Sequence, residues 1–277
     1  MKKNVDIQVV EGFGDEWKRF DYSGFSQTEL KEMFNGYFRI FPWEYLPDGA
    51  VGFDLGCGSG RWAKFVAPNV SKLHLIDPSI AALTVAQKNL AEFQNCIFHQ
   101  ASIDEIPLED ESADFAYSLG VLHHIPDTEG GIRACVAKLK KDAPFLVYLY
   151  YSFDNRPWWY WGIWKTTELG RSLISRLPYA VRYWISQVIA FFVYLPLARL
   201  SWVLEKMQFD VESIPLSAYR HRSFYVMRND ALDRFGTKLE KRFSRNQIQA
   251  MLERSGLENI SFSDTPPYWC AVGYKKS

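Results

Sequence analysis

The chain has 277 residues, enough for one large α/β domain or for one domain with a sizeable insertion. Lys and Arg together number 32, as do Asp and Glu, so the charge balance gives no reason to expect a nucleic-acid partner. The four cysteines form no CxxC pair, which argues against a zinc site or a disulfide framework and suits a cytoplasmic protein with reduced thiols. The first residues carry two lysines but no apolar segment after them, so no signal peptide is expected.

Apolar runs typical of buried strands alternate with helical patterns from residue 48 onward. Before them, residues 1–47 carry apolar side chains at helical spacing and predict a helical N-terminal cap. The first five strands are expected at 51–55, 72–77, 96–100, 112–119 and 144–151. The helices between them are expected at 60–66, 79–93 and 128–141. Strands that alternate with helices imply parallel pairing and a doubly wound sheet.

The alternation is interrupted over residues 152–222 and resumes with a helix that begins near Ser244. Two further strands are expected at 257–263 and 268–275. The order predicts an α/β fold with a seven-stranded, mainly parallel sheet and a helical, aromatic-rich insertion after the fifth strand. The main domain would then consist of 48–151 and 223–277, with 152–222 as the insertion.

The stretch VGFDLGCGSGRW, residues 51–62, places three glycines at alternate positions directly after the first strand. A dinucleotide fingerprint needs GxGxxG, and a phosphate-binding P-loop needs Gly-Lys-Ser/Thr; neither spacing is present. Asp54, two residues before the first glycine, is a poor neighbour for a pyrophosphate and suits a ligand with a positive amine. Asp77 ends the second strand, where a carboxylate can accept hydrogen bonds from both hydroxyls of a ribose. Together these features predict a site for a cationic, non-phosphorylated nucleoside.

Four segments resemble the successive motifs of class I S-adenosylmethionine-dependent methyltransferases. They are FDLGCGSGRW, LHLIDPS, ASIDEIPLEDESADFAYSLGVLHHIPD and KLKKDAPFLVYLYY. The similarity is greatest to the group that includes ubiquinone and menaquinone biosynthesis methyltransferases. It covers about residues 48–151 and, more weakly, 244–275. The resemblance implies a Rossmann-like fold, S-adenosylmethionine as cofactor, S-adenosylhomocysteine as product, a small-molecule acceptor and no metal.

The same resemblance implies which residues contact the cofactor. Those expected at its methionine part are Asp54, Gly56, Cys57, Gly58 and Gly60. Those expected around its adenosine are Asp77, Pro78, Ser79, Ser102 and Ile103, and those expected on the sulfonium side are Leu119 and Gly120. Ser102 stands where the family often has Asp, although its hydroxyl can still accept a hydrogen bond from the adenine amine. An aromatic residue of the N-terminal segment often closes such sites; of Trp17, Tyr22 and Tyr37, we favour Tyr37.

A general base would matter only for some acceptors. The methyl group on a sulfonium is already activated, so proximity and alignment can supply much of the rate. An alcohol acceptor needs a base more than an amine or a carboxylate does. The candidates near the ends of the fourth and fifth strands and in the insertion are His123, His124, Tyr151, Asp154 and His221. We select His124 and Tyr151, with a structural role for the histidines as the alternative.

The insertion combines tryptophan, uncharged apolar residues and basic side chains. DNRPWWYWGIWK holds four Trp, residues 183–198 carry no charge, and helices are expected near 173–187 and 188–205. Sixteen uncharged residues fall short of the ~20 that span a bilayer. Residues 155–204 contain six basic residues and one acid. The composition suits a lid or a homodimer interface on one interpretation, and peripheral membrane contact through 156–205 on the other.

The sequence therefore predicts an S-adenosylmethionine-dependent methyltransferase that is cytoplasmic or associated with a membrane. The expected acceptor is a hydroxyl or similar group on a hydrophobic, glycan or lipid-linked small molecule. The alternative is a non-catalytic module that binds the cofactor and uses its insertion to dock a partner or a membrane.

Overall fold

A computed structural model describes residues 4–22 and 25–277. It contains one seven-stranded sheet in the order β3-β2-β1-β4-β5-β7-β6. The strands are β1 (Val51–Leu55), β2 (Lys72–Asp77), β3 (Cys96–Gln100), β4 (Phe115–Leu119), β5 (Pro144–Tyr148), β6 (Leu257–Phe262) and β7 (Cys270–Lys275). The first five pair in parallel, and β7 runs antiparallel to β5 and to β6. The predicted α/β fold with a mainly parallel seven-stranded sheet is confirmed.

The central strands are buried on both faces, as expected of a parallel sheet covered by helices. Phe53, Phe115 and Phe145 are fully buried on neighbouring strands. The helices of this part of the chain are α1 (Ile7–Arg19), α2 (Gln27–Tyr37), α3 (Ala63–Val66), α4 (Ile80–Asn89), α5 (Thr128–Lys138) and α10 (Arg245–Arg254). Side chains cap their N-termini where the sequence provides them; Ser79, for example, accepts a hydrogen bond from the backbone N–H of Ala82 at 3.3 Å.

The described chain divides into two compact units, one formed by the residues up to 152 with 239–277, the other by 153–238. The second boundary therefore lies at 238 and not at 222 as predicted. The reason is helix α9 (Phe224–Gly236), whose Met227, Ala231 and Phe235 belong to the same buried cluster as Ala190 and Ala198.

The helices of the second unit also differ from the prediction. They are α6 (Trp158–Ile174), α7 (Tyr179–Ile189) and α8 (Leu195–Lys206). A π-helical segment, Ala190–Tyr194, joins α7 to α8, so that 179–206 is one continuous helix of 28 residues. The break falls before Pro178 because the residue that precedes a proline disfavours helical backbone angles. The predicted helices at 173–187 and 188–205 were therefore wrong in their boundaries.

Candidate functional site

The loop that follows β1 requires its glycines. Gly56, Gly58 and Gly60 have φ angles of +73°, +53° and +73°, which L side chains rarely adopt. A Cβ atom on Gly58 would lie 2.9 Å from the indole of Trp17, and one on Gly56 would lie 2.4 Å from Val121. The sequence thus folds into a tight turn whose glycines let Trp17 and Val121 pack directly against its backbone.

Asp77 is fixed at the end of β2 by two backbone donors. Its Oδ2 accepts a hydrogen bond from the N–H of Gly58 at 3.0 Å, and its Oδ1 accepts one from Ser79 at 2.8 Å. Burial raises the pKa of Asp77 to about 6, even though these two N–H groups act to lower it. Because each carboxylate oxygen can accept a second hydrogen bond, the group remains able to bind a pair of hydroxyls.

Asp54, on β1 beside the same loop, carries the most strongly perturbed carboxyl of the site. Its side chain is buried, and Oδ2 has no hydrogen-bond partner among the described residues. Burial raises the pKa of Asp54 to about 8, opposed in part by the Tyr117 hydroxyl and increased further by the charge of Asp77. A buried acceptor without a donor indicates that an ammonium or amide of a ligand completes this site.

The other residues expected at the cofactor lie along the same edge, where the parallel strands β1 to β4 end. Ser102 has a buried hydroxyl without a partner among the described residues, and a Cβ atom added to Gly120 would point into open space. Cys57, Ile103 and Leu119 are buried; Ser79 is also buried and Pro78 half-buried. Carboxyl ends of strands are where open α/β sheets bind ligands. The residues present therefore fit an S-adenosyl nucleoside.

The aromatic residue over the glycine loop is Trp17 of α1. The guanidinium of Arg61 lies 5.0 Å from the Trp17 ring centroid and 4.5 Å from that of Trp62, and its Nη1 donates to the Tyr22 hydroxyl at 2.6 Å. Tyr37, the residue favoured from the sequence, packs its ring 5.0 Å from that of Trp62, two residues after the third glycine, and 5.1 Å from that of Tyr148 at the end of β5. The sequence analysis missed Arg61, although its place directly after the third glycine was a usable signal.

The two adjacent histidines are held differently. His123 is fully buried, its ring centroid lies 3.9 Å from that of Tyr150, and neither of its ring nitrogens has a hydrogen-bond partner among the described residues. Burial lowers the pKa of His123 well below its usual value, so the ring is neutral. His124 instead places Nδ1 2.7 Å from the carbonyl oxygen of Leu239 and its ring 5.0 Å from Phe13.

A buried ion pair that the sequence analysis missed lies beside these histidines. Arg242 donates from Nε to Glu240 at 2.8 Å and from Nη1 to the Tyr151 carbonyl at 3.3 Å, with its guanidinium 5.1 Å from the Tyr150 ring. The backbone of Tyr151 forms an isolated bridge with Phe243. In the sequence, the charged stretch KLEKRF that contains this pair is equally typical of a solvent-exposed turn.

The remaining candidates from the sequence lie in the second unit. Asp154 is exposed, and His221 pairs with Glu205 at 2.7 Å. Within 4–22 and 25–277 no group of three or more His, Cys, Asp or Glu side chains is arranged to hold a metal ion.

Comparison with known proteins agrees with this geometry. Residues 53–147 match the family model described as "Methyltransferase domain". The chain is 32% identical over 95 residues to a ubiquinone biosynthesis O-methyltransferase of Alkalilimnicola ehrlichii, covering 34% of this chain and 38% of that protein. It is 28% identical over 104 residues to an uncharacterized methyltransferase of Bacillus subtilis, covering 37% of this chain and 41% of that protein. In each case the match spans less than half the length of the relative.

Among solved structures, a SAM-dependent methyltransferase from Thermotoga maritima has a TM-score of 0.53 at 13% identity. The alignment covers 97% of this chain and 100% of that one. At this identity the similarity concerns the fold, and it agrees with the observed strand order.

Proposed function

We propose that this chain transfers a methyl group from S-adenosylmethionine to a small-molecule acceptor, in line with the match of residues 53–147 to the model described as "Methyltransferase domain". The observation that carries the proposal is the pair of buried carboxyls at the ends of β1 and β2. Asp54 has a buried oxygen without a donor among the described residues, and Asp77 is fixed by two backbone N–H groups. The first suits the amine of the methionine part, and the second suits the ribose hydroxyls.

The cofactor, when bound, supplies a methyl group on a sulfonium, which needs an aligned acceptor and a dry environment. Trp17 covers the glycine loop, and the Arg61 side chain, stacked among aromatic rings, closes the loop on the same side. These side chains would hold the bound cofactor at the glycine loop and keep water away from it. The chain's own residues contribute binding and positioning in this step.

The acceptor is proposed to be a hydroxyl on a hydrophobic, glycan or lipid-linked molecule. Tyr37, Tyr148 and Tyr150 form an aromatic wall at the end of β5, with ring centroids 5.1 and 5.8 Å apart along the row. His123 packs against Tyr150 of that wall, but its burial disfavours the protonated ring and makes it a poor base. His124 and Tyr151, selected from the sequence, remain candidates at the same edge.

Calorimetry tests the cofactor assignment first. S-adenosylhomocysteine is expected to bind wild type, and Asp77→Ala is expected to abolish or greatly weaken that binding, because the ribose loses its acceptor. A fully folded wild type that binds neither S-adenosylhomocysteine nor S-adenosylmethionine would refute the assignment.

Turnover is tested by the release of S-adenosylhomocysteine with hydrophobic phenols and alcohols, glycans and lipid-linked hydroxyl compounds as acceptors. His124→Asn is expected to lower kcat for hydroxyl acceptors with little effect on cofactor affinity, while His123→Asn serves as the matched comparison. Cofactor binding without turnover on any acceptor class would favour the alternative function, a non-catalytic cofactor-binding module.

A further inference from the structure

The continuous helix 179–206 exposes most of its large apolar side chains and buries mainly small ones, together with Tyr194. Its fully buried positions include Ser186, Ala190, Ala198 and Ser201. The large apolar side chains that it exposes are Val181, Trp184, Val188, Phe191, Phe192, Val193, Leu200 and Val203. An ordinary surface helix has the opposite arrangement, with its apolar stripe against the core. The exposed face is therefore made for an apolar environment.

Exposed apolar side chains are not limited to this helix, and most of them lie in the same unit. Of the 21 exposed large apolar side chains among the described residues, 17 lie within 153–238. Helix α6 contributes Trp158, 87% exposed, together with Leu169 and Leu173, 71% and 70% exposed. So many exposed large apolar side chains in one unit indicate an interaction surface.

Charge indicates which partner this surface fits. Residues 153–238 contain twelve Lys and Arg against seven Asp and Glu, whereas the whole chain contains 32 of each. The basic side chains include Lys165, whose Nζ lies 4.7 Å from the Trp161 ring, and Lys206, whose Nζ lies 3.8 Å from Trp202. Tryptophan and lysine side by side at the border of an apolar face are typical of a membrane interface, where anionic headgroups meet acyl chains.

The helix has the length and composition to cross a membrane, with a mean hydropathy of 1.6 in its most apolar window. Its inner side argues for an orientation parallel to the membrane plane. There Arg182 donates to the Gly236 carbonyl at 2.6 Å, and Arg228 of α9 donates to the Tyr183 hydroxyl at 2.9 Å. Spanning would also carry helix α9, which packs along the middle of this helix, into the hydrocarbon with its Arg228, Asp230 and Asp233, and this is costly. A helix lying in the interface keeps α9 on the water side.

We propose that the helical unit 153–238 docks on the surface of an anionic lipid bilayer. Helix 179–206 lies in the plane of the membrane with the side of Trp184, Val188 and Phe192 in the boundary between headgroups and acyl chains. Basic residues at the edge of that face, such as Lys165 and Lys206, contact the headgroups. This proposal rests on the surface of the second unit and is independent of the cofactor site.

The test is flotation of the full chain with phosphatidylcholine vesicles, with and without phosphatidylglycerol. Wild type is expected to float with both and to bind the anionic vesicles more strongly. Val188→Glu with Phe192→Glu, at positions 55% and 69% exposed, should lower the partition coefficient on the order of tenfold or more. The matched control is Ile7→Glu with Tyr45→Glu, 68% and 75% exposed in the first unit, which should float like wild type.

Two control measurements separate the test of membrane docking from the test of the cofactor site. Thermal unfolding and S-adenosylhomocysteine calorimetry should be unchanged in both double variants, so a failed cofactor assignment would leave this test intact. Wild type that stays with the soluble fraction in both vesicle types, or a Val188/Phe192 variant that floats as wild type does, would overturn the proposal. So would a wild-type dimer in sedimentation velocity that the Val188/Phe192 substitutions dissociate without any vesicle binding, because the face would then join two copies of this chain.

Discussion

The carboxyl of Asp54 links the pH dependence of stability to cofactor binding. Its pKa rises from 3.8 to about 8 because the group is buried, so the folded protein without ligand holds a proton that the unfolded chain has lost. The free energy of unfolding should therefore fall as the pH rises from about 4 to about 8, by at most ~1.4 kcal/mol per pH unit for this group. Asp77, raised to about 6, adds to the fall over about pH 4 to 6.

Asp54→Asn is expected to remove the part of this slope between about pH 6 and 8 and to stabilise the ligand-free protein at pH 8. The same change should weaken S-adenosylmethionine binding by about tenfold or more, because the ligand's amine loses its charged partner. Urea unfolding at several pH values and calorimetry measure the two effects. An unchanged slope in the variant would show that Asp54 ionises normally in the folded protein.

Any other residue at position 58 would be strained, both by the positive φ angle and by contact with Trp17. Gly58→Ala should lower the free energy of unfolding by more than the ~1–2 kcal/mol of backbone strain, because the new Cβ meets Trp17 at 2.9 Å. Gly49→Ala is the matched control, since φ there is +75° with nothing within 4 Å, and it should cost only the strain. Adding Trp17→Ala to Gly58→Ala should recover part of the extra loss in free energy of unfolding, because the clash is removed. If the losses of the two single variants simply add in denaturant unfolding, the contact is disproved.

Site residues that lie at the end of a strand could be predicted from the sequence. Site residues that come from distant parts of the chain could not. Asp54 and Asp77 were placed at the ends of two buried strands from the sequence, and the structure has them there. Trp17 could be named only as one of several candidates, since nothing local tells which aromatic of a helical segment meets a loop forty residues later. Arg242 was missed because its burial depends on Glu240 and Tyr150 packing around it.

Helix α6 is tied to the end of its unit by Arg171. This buried guanidinium donates to Glu168 at 2.9 Å and to the carbonyl oxygens of Thr237 and Lys238 at 2.6 and 3.1 Å. Arg171→Met removes this donor from the two carbonyl oxygens, while Glu168 keeps Arg234 at 3.1 Å, and should lower the free energy of unfolding by about 2 kcal/mol. Arg176→Met, on an exposed position one turn later, is the control and should stay within about 0.5 kcal/mol. Equal unfolding midpoints in urea for the two variants would contradict this role.

For the strands and helices, the spacing of apolar residues and the positions of prolines explain what could be predicted. The strands have short apolar runs bounded by turns, and all seven were placed within about three residues of their observed limits. The insertion gave wrong helix boundaries, because its apolar residues surround the helix on all sides. Apolar residues on the buried face and on the exposed face cannot be told apart by their spacing. Phe191, Phe192 and Val193 are all exposed, while Ala190 is buried.

At the scale of the whole molecule, each unit has a hydrophobic cluster of its own. The sheet cluster, which includes Phe53, Phe145 and Trp269, contains no residue of 153–238, and the helical cluster contains none from outside it. The chain leaves and re-enters the first unit near one point, where the N–H of Ser152 donates to the Phe243 carbonyl at 3.0 Å. A short connection can therefore replace the second unit without a long span.

Replacing 153–238 with a Gly/Ser linker of about eight residues should yield a folded protein that binds S-adenosylhomocysteine within about threefold of the full chain. The reason is that Asp54, Asp77 and the glycine loop all lie in the first unit. Calorimetry on the shortened protein measures this, with Asp77→Ala in the same background as the non-binding control. The shortened protein should also fail to float with anionic vesicles. A folded but non-binding product would mean that the cofactor site needs the helical unit, and retained flotation would place the lipid contact on the sheet unit instead.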